Sequence, residues 1–173
     1  LNATAYHLES CGSVADMGLR NLFLSSHKIH SMAPHALKGL SSLEELDLSN
    51  NVLKQLPPTV FKDLRSLLKL KLQNNHLETL PAGILDLSSL ETLQLENNNL
   101  QTLSADIFQN LGRLQNLQIL DLQSNGLKML PAGVFSNLTH LQRLSLRNNG
   151  LEVLPPRPFK GLSQLQFLDL TGN

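Results

Sequence analysis

The sequence predicts an α/β solenoid, a fold in which one structural unit repeats along the chain and stacks on its neighbours. Leucine occupies 43 of the 173 positions, whereas aromatic residues make up only 4%. One leucine pattern begins at Leu19 and recurs at intervals of 23 to 27 residues. An internal period of this length is typical of stacked repeats, in which no unit buries its apolar face alone.

The repeated pattern reads L-x-x-L-x-L-x-x-N-x-L-x-x-L-P-x-x-x-F-x-x-L. Six full copies and the strand of a seventh begin at Leu19, Leu43, Leu67, Leu90, Leu117, Leu141 and Leu165. In the L-x-L segment, alternation places two leucines on one face of a short strand and their neighbours on the other. Stacking these strands in parallel merges the leucines of successive units into one core.

Three further positions follow the strand in each unit. An asparagine comes where the strand turns away, and its carboxamide can bond backbone groups that the turn leaves unpaired. A proline then prevents the regular structure from continuing, and a phenylalanine fills the far side of the coil. The asparagines are Asn51, Asn75, Asn98, Asn125, Asn149 and Asn173, and the phenylalanines are Phe61, Phe108, Phe135 and Phe159.

Some units depart from the pattern. The third unit is one residue short, and Ile84 or Leu85 takes its phenylalanine position. The fourth unit is three residues longer near 112–114, and we expect one extra helical turn there. In the first unit His27 replaces the asparagine and Leu37 replaces the phenylalanine. Because terminal repeats are commonly atypical, the first unit is expected near an N-terminal edge.

These residues resemble the leucine-rich repeat family, in the typical 24-residue subclass of animal extracellular proteins and receptor ectodomains. The resemblance covers residues 19–173 and implies a horseshoe with a concave parallel β-sheet and a convex side of turns and short 3-10 segments. The regular L-P-x-x-x-F units are similar to leucine-rich alpha-2-glycoprotein and beta-type phospholipase A2 inhibitors. The irregular 27-residue unit is equally similar to a segment of a Toll-like receptor ectodomain.

The two ends of the chain differ from the repeats. Residues 1–18 carry no repeat, and we expect a partial N-terminal cap or a degenerate repeat there. Solenoid ends need polar caps, and the sequence stops within a unit at Asn173, so we expect the C-terminal cap to be missing. Cys11 either pairs with a cysteine outside this segment or is a small buried apolar residue.

Two signals bear on the cellular compartment. N-x-S/T sequons occur at Asn2 and Asn137, and both asparagines are candidate glycosylation sites. Together with the extracellular subclass, they favour a secreted protein or the ectodomain of a membrane receptor; a cytosolic repeat protein is the alternative. No run of 18 apolar residues exists, so direct membrane insertion of this segment is not expected.

The sequence carries no motif for catalysis or for cofactor binding, and a non-enzymatic protein without a cofactor is therefore expected. His27, His30 and His35 are close enough in sequence to be weighed as zinc ligands. His27, however, takes the asparagine position, where the side chain is expected to point inward. The other two lie further round the coil, so no metal site is predicted.

The outward strand residues form the predicted ligand-binding site on the concave face. They include five acidic and four basic side chains in bands of alternating sign, with a net charge of −1. This banding argues against nucleic acid, which requires a continuous basic stripe, and suits a folded protein ligand. The candidates are Phe23, Glu45, Asp47, Lys69, Lys71, Gln94, Glu96, Ile119, Asp121, Arg143, Arg147, Phe167 and Asp169.

Two interpretations of these residues remain open. Phe23, Ile119 and Phe167 are apolar side chains on a polar face, which makes them candidate anchors for a ligand. Alternatively, caps cover the phenylalanines, and charged neighbours such as Lys69 and Glu45 form cross-strand pairs that only hold the sheet.

The predicted function is extracellular protein recognition on the concave sheet, in a secreted binding or inhibitor glycoprotein. The alternatives are a fragment of an innate-immune Toll-like receptor ectodomain and a matrix scaffold that self-associates.

Overall fold

The computed structural model describes residues 2–4, 6–109 and 116–173. In this part of the chain the regular elements are short strands and one 3-10 helix, Gly12–Met17. The strands are β1 (Asn2–Thr4), β2 (His7–Ser10), β3 (Asn21–Phe23), β4 (Ser31–Met32), β5 (Glu45–Asp47), β6 (Lys69–Lys71), β7 (Thr92–Gln94), β8 (Ile119–Asp121), β9 (Arg143–Ser145) and β10 (Phe167–Asp169).

Seven of these strands form one parallel sheet in chain order: β3 is followed directly by β5, and then by β6 to β10. Equivalent residues of successive units stand opposite each other, as Leu46 does to Leu70 and Leu120 does to Leu144. Turns connect each strand to the next and form the convex side. The predicted leucine-rich repeat solenoid is therefore confirmed, as about six turns with almost no helix. The extra helical turn expected near 112–114 lies outside the described residues.

The core consists of leucine rows closed on the convex side by phenylalanines. The central leucines of the inner strands, such as Leu46 and Leu144, have no exposed surface. Phe108 and Phe135 are stacked with their ring centroids 5.9 Å apart, and both are almost fully buried. Each unit thus covers the apolar face of the preceding one.

The predicted asparagine ladder is confirmed. Asn51 is buried, and its Oδ1 accepts hydrogen bonds from the backbone N–H groups of His27 and Ile29, both at 3.0 Å. Its Nδ2 donates to the carbonyl oxygens of Leu24 at 2.9 Å and Leu48 at 3.0 Å. One side chain therefore satisfies backbone groups of two consecutive units, as an uninterrupted core requires.

A second asparagine row, which the sequence analysis did not predict, precedes the ladder. Asn50, Asn74 and Asn97 have φ angles of 56° to 57°, a left-handed conformation that asparagine tolerates better than most residues. Asn74 Nδ2 donates to Asn50 Oδ1, and Asn97 Nδ2 donates to Asn74 Oδ1, both at 2.9 Å. These exposed bonds link neighbouring coils at the edge of the sheet.

The N-terminal segment forms a second, smaller sheet that packs on the same core. β2 pairs antiparallel with β1 and parallel with β4, in a three-stranded sheet apart from the concave one. Leu8 and Cys11 are buried in the common core. Cys11 is a free thiol, and burial raises its pKa, so the structure places it as a small apolar core residue.

The prediction that His27 points inward is wrong. The side chain of His27 is exposed, because Asn51 of the next unit already bonds the backbone at this turn. β3 is the terminal strand of the concave sheet in this chain.

Candidate functional site: the concave face

The concave face consists of the outward side chains of strands β3 and β5 to β10 and of the residues just after them. In β5 to β8 the middle residue is buried and both flanking residues are half-buried. All thirteen predicted site residues lie on this face. Phe23, Arg143, Arg147 and Phe167 are exposed, and the remaining nine are half-buried.

The N-terminal part of the face carries an ion pair between a lysine and a carboxylate. Lys71 Nζ lies 3.5 Å from Glu45 Oε1, so Glu45 pairs with the lysine diagonally across the strands rather than with Lys69 directly opposite. Such partly exposed pairs contribute little to stability, about 0–1 kcal/mol. Lys69 is therefore left available on the surface.

The centre of the face contains two buried oxygen atoms without a hydrogen-bond partner, Gln73 Oε1 and Glu96 Oε2. The two residues are neighbours, since the backbone N–H of Asn74 donates to the carbonyl oxygen of Glu96 at 3.0 Å. Burial, reinforced by the negative charge of Asp121, raises the pKa of Glu96 to about 7. Sequence reasoning missed Gln73, because an outward glutamine carries no signal of burial.

The C-terminal part of the face contains a depression of about 190 Å³. Asp121, Asp169, Phe167 and Ser145 contribute to its lining. The guanidinium of Arg143 lies 4.2 Å from the centroid of the Phe167 ring, a cation–π contact. Arg143 therefore stacks on the phenylalanine, and no salt bridge joins it to Asp121 or Asp169 among the described residues.

The outward aspartates also have a structural task. Asp47, Asp121 and Asp169 each accept a hydrogen bond from the backbone N–H two residues later, at 2.9 to 3.0 Å. Such local bonds are typical of aspartate at the start of a turn. The recurring aspartate at the end of the strand is the sequence signal from which these bonds could have been predicted.

A larger depression lies on the convex side. It has a volume of about 540 Å³, and Phe61, Lys62, Arg65 and Ile84 contribute to its lining. It borders the third unit, which is one residue short and has no phenylalanine. The shortened unit leaves this space between two convex turns.

Two histidines meet at a glutamate of the N-terminal sheet. His7 and His35 both contact Glu9, at 2.9 and 3.2 Å. Within residues 2–4, 6–109 and 116–173, no group of three or more His, Cys, Asp or Glu is placed to hold a metal ion. In the same ranges, no helix is long and apolar enough to cross a membrane.

Asn137 is exposed on the convex side. Its Nδ2 donates to Gln109 Oε1 at 3.0 Å, and Thr139 of the same sequon is also exposed. Asn2 lies in β1. Glycosylation at Asn2 and Asn137 stays a prediction.

Comparison with known proteins decides the family. The leucine-rich repeat family model matches residues 17–77, 66–119 and 115–173. The chain belongs to the leucine-rich repeat family. No curated protein sequence matches it.

Solved structures resemble the chain closely in fold. The TLR13–ssRNA13 complex aligns with a TM-score of 0.84 and 30% identity, covering 95% of this chain and 23% of that one. The Toll–Spatzle complex of Drosophila aligns with a TM-score of 0.67 and 24% identity, covering 90% and 27%. At 24% identity the second likeness supports the fold alone. The chain thus spans about a quarter of the length of either receptor chain.

These comparisons bear on three expectations: a non-enzymatic role, an extracellular location and the exclusion of nucleic acid. Leucine-rich repeat folds of the Toll-like receptor type are typically non-enzymatic recognition modules, and the neighbours indicate an extracellular or ectodomain location. The expected exclusion of nucleic acid is not supported, because one similar structure is a complex with single-stranded RNA.

Proposed function

We propose that this chain is a non-enzymatic recognition module that binds a protein ligand on its concave sheet. One observation supports the proposal: the outward side chains of the seven strands form a continuous band of charged and aromatic groups on the concave face. Phe23 and Phe167, on the two outermost strands of the sheet in this chain, are the aromatic members of that band. Exposed aromatics surrounded by charge are typical of binding hot spots.

The proposed setting is extracellular. The module would belong to a secreted binding or inhibitor glycoprotein, as in leucine-rich alpha-2-glycoprotein or the beta-type phospholipase A2 inhibitors. The main alternative is a fragment of a Toll-like receptor ectodomain, which the similarity to the TLR13 chain supports. A self-associating matrix scaffold is a further alternative, and light scattering distinguishes it as a stable homodimer.

RNA is a second candidate ligand, favoured by the RNA present in the similar TLR13 complex. The charges of the concave face oppose it. Lys69 and Lys71 lie on β6. On one side β6 pairs with β5, which carries Glu45 and Asp47. On the other side it pairs with β7, which carries Gln94 and is followed by Glu96. A phosphate backbone needs basic groups along its whole path, so a protein with its own charge pattern fits this face better.

A photo-crosslinking experiment tests the proposal. A photoreactive amino acid replaces Gln94 at the centre of the concave face, and in a matched variant it replaces the exposed Lys160 on the convex side. Each variant is irradiated with an extracellular protein mixture and, separately, with single-stranded RNA. Unmodified chain added in excess serves as competitor.

We expect a protein adduct at position 94 that the competitor removes, and no equivalent adduct at position 160. Adducts formed mainly at position 160 would move the site to the convex side. A competed RNA adduct at position 94 without any protein adduct would replace the protein ligand with RNA.

A further inference from the structure

Strand β9 carries a serine, Ser145, at the position where both neighbouring strands carry an aspartate. At the second outward position of β8, β9 and β10, the residues are Asp121, Ser145 and Asp169, which stand opposite each other in register. In the preceding strands Asp47, Lys71 and Gln94 hold this position. The short side chain of Ser145 therefore leaves a gap between two carboxylates, and this gap forms part of the 190 Å³ depression.

The depression has acidic sides and an aromatic wall. The Phe167 ring lies along it together with Ile119, and Phe167 is 40% exposed. Arg143 also lines the depression, and its guanidinium lies 4.2 Å from the centroid of the Phe167 ring. An extended apolar stem with a polar end would find contacts for both parts here.

The charge of Asp121 is poorly compensated by the protein. Burial raises its pKa, and the nearby charge of Asp169 raises it further, against the hydrogen bond from the Gln123 backbone. Asp169 differs: its contacts with Thr171 and the charge of Arg147 lower its pKa. No described cation forms a salt bridge with Asp121. A carboxylate in this state gains from a cation supplied from outside.

We propose that the depression over Ser145 receives a cationic side chain, lysine or arginine, of the protein ligand, with its charged end between Asp121 and Asp169 and its stem against Phe167. This inference rests on the proposed function and specifies the ligand chemistry of one part of the site. The lining has two carboxylates and one cation, Arg143, which is stacked on Phe167. An apolar side chain would remove water from Asp121 without pairing it. Complementary charge is therefore the arrangement that the depression favours.

The proposal can be tested without the natural ligand. The probe is N-acetyl-lysine methylamide, and its control is N-acetyl-norleucine methylamide, which has the same stem without the charge. Binding to the full chain is followed through the backbone amide NMR signals of Asp121, Ser145 and Asp169 during titration at low salt. We expect millimolar binding by the lysine probe at these signals, weakened by added salt.

Two variants and a matched control locate the binding. Asp121→Asn removes the charge and retains an acceptor for the Gln123 N–H, and Ser145→Leu fills the depression. Each is expected to weaken binding at least about fivefold, because a charge-assisted contact or its space is lost. Asp63→Asn removes the same charge outside the concave face and retains an acceptor for the Gly39 N–H, and it should change binding less than about twofold.

Three results would overturn the proposal: no shift at these amides, equal binding of the norleucine probe, or equal weakening by Asp63→Asn. None of them affects the proposed function, because the crosslink at position 94 is measured independently. If the crosslink at position 94 is not formed while the lysine probe binds, the depression is still a site for a cationic side chain. The proposal that the concave face recognises a protein would then be refuted.

Discussion

Replacing Glu96 with glutamine is expected to stabilise the folded chain at alkaline pH. Glu96 Oε2 is buried without a partner beside Gln73 Oε1, which also has none. When Glu96 is ionised, its buried Oε2 carries negative charge without a hydrogen-bond partner among the described residues, an unfavourable arrangement. Glutamine has nearly the same shape, carries no charge, and its amide can donate a hydrogen bond to Gln73.

The magnitude and sign follow from the pKa of Glu96, which is raised from 4.5 to about 7 in the folded chain. Between these values the folded state binds a proton that the unfolded state releases, so stability falls as pH rises. At 1.36 kcal/mol per pKa unit, the full difference is at most about 3 kcal/mol above pH 7. Because Glu96 is partly exposed, solvent screening reduces the expected gain to about 1–2 kcal/mol.

Urea unfolding of wild type and Glu96→Gln at pH 5, 6, 7 and 8 measures this difference. The free energies of unfolding should nearly coincide at pH 5 and separate in favour of the variant by pH 8. Glu91→Gln is the control, since Glu91 is exposed in the same unit and the charge change is identical. A gain that does not depend on pH, or the same profile for Glu91→Gln, would refute the reasoning.

Two further predictions concern the backbone and the asparagine ladder. Gly161→Ala should cost at least about 2 kcal/mol more than Gly83→Ala by chemical denaturation. Both glycines have positive φ, but the new Cβ would clash with the backbone oxygen of Ser136 at Gly161 and would meet open space at Gly83. Equal costs would contradict the clash. Asn51→Ala should lower the free energy of unfolding by about 3 kcal/mol or more, because it leaves buried backbone groups unpaired. The control, Asn99→Ala, changes an exposed side chain and should cost under about 1 kcal/mol. Similar losses in the two variants would contradict a stabilising role for the ladder.

Most of the fold follows from the leucine pattern. Because every unit places its leucines at the same spacing, the strand, its inward face and the register with the next unit are determined together. The asparagine ladder could be predicted for a similar reason: a turn that leaves backbone groups unpaired requires a carboxamide such as Asn51. Periodicity also identified which residues face outward.

Contacts between outward residues could not be predicted from the spacing. Long side chains choose among several partners, and Lys71 pairs with Glu45 where Lys69 is the residue directly opposite. The gap over Ser145 depends on three strands together, and no single unit reveals it. The N-terminal sheet was not predicted because residues 1–18 carry no repeat, so neither period nor register constrained β2.

The energetic value of a leucine should depend on how many coils cover it. Leu144 and Leu168 occupy the same position in adjacent strands, yet Leu144 has 0% exposed surface and Leu168 has 39%. Leu144→Ala removes contacts with the coils on both sides and should cost about 3–5 kcal/mol, whereas Leu168→Ala, covered on one side in this chain, should cost about half as much or less.

Chemical denaturation of the two leucine variants measures both costs. Unequal losses in this order would show that stability arises from interfaces between neighbouring coils, so that the sequence of one unit alone does not determine how much it contributes. Equal losses would contradict this, because they would mean that the leucine stabilises its own unit and that the stacking of neighbours contributes little.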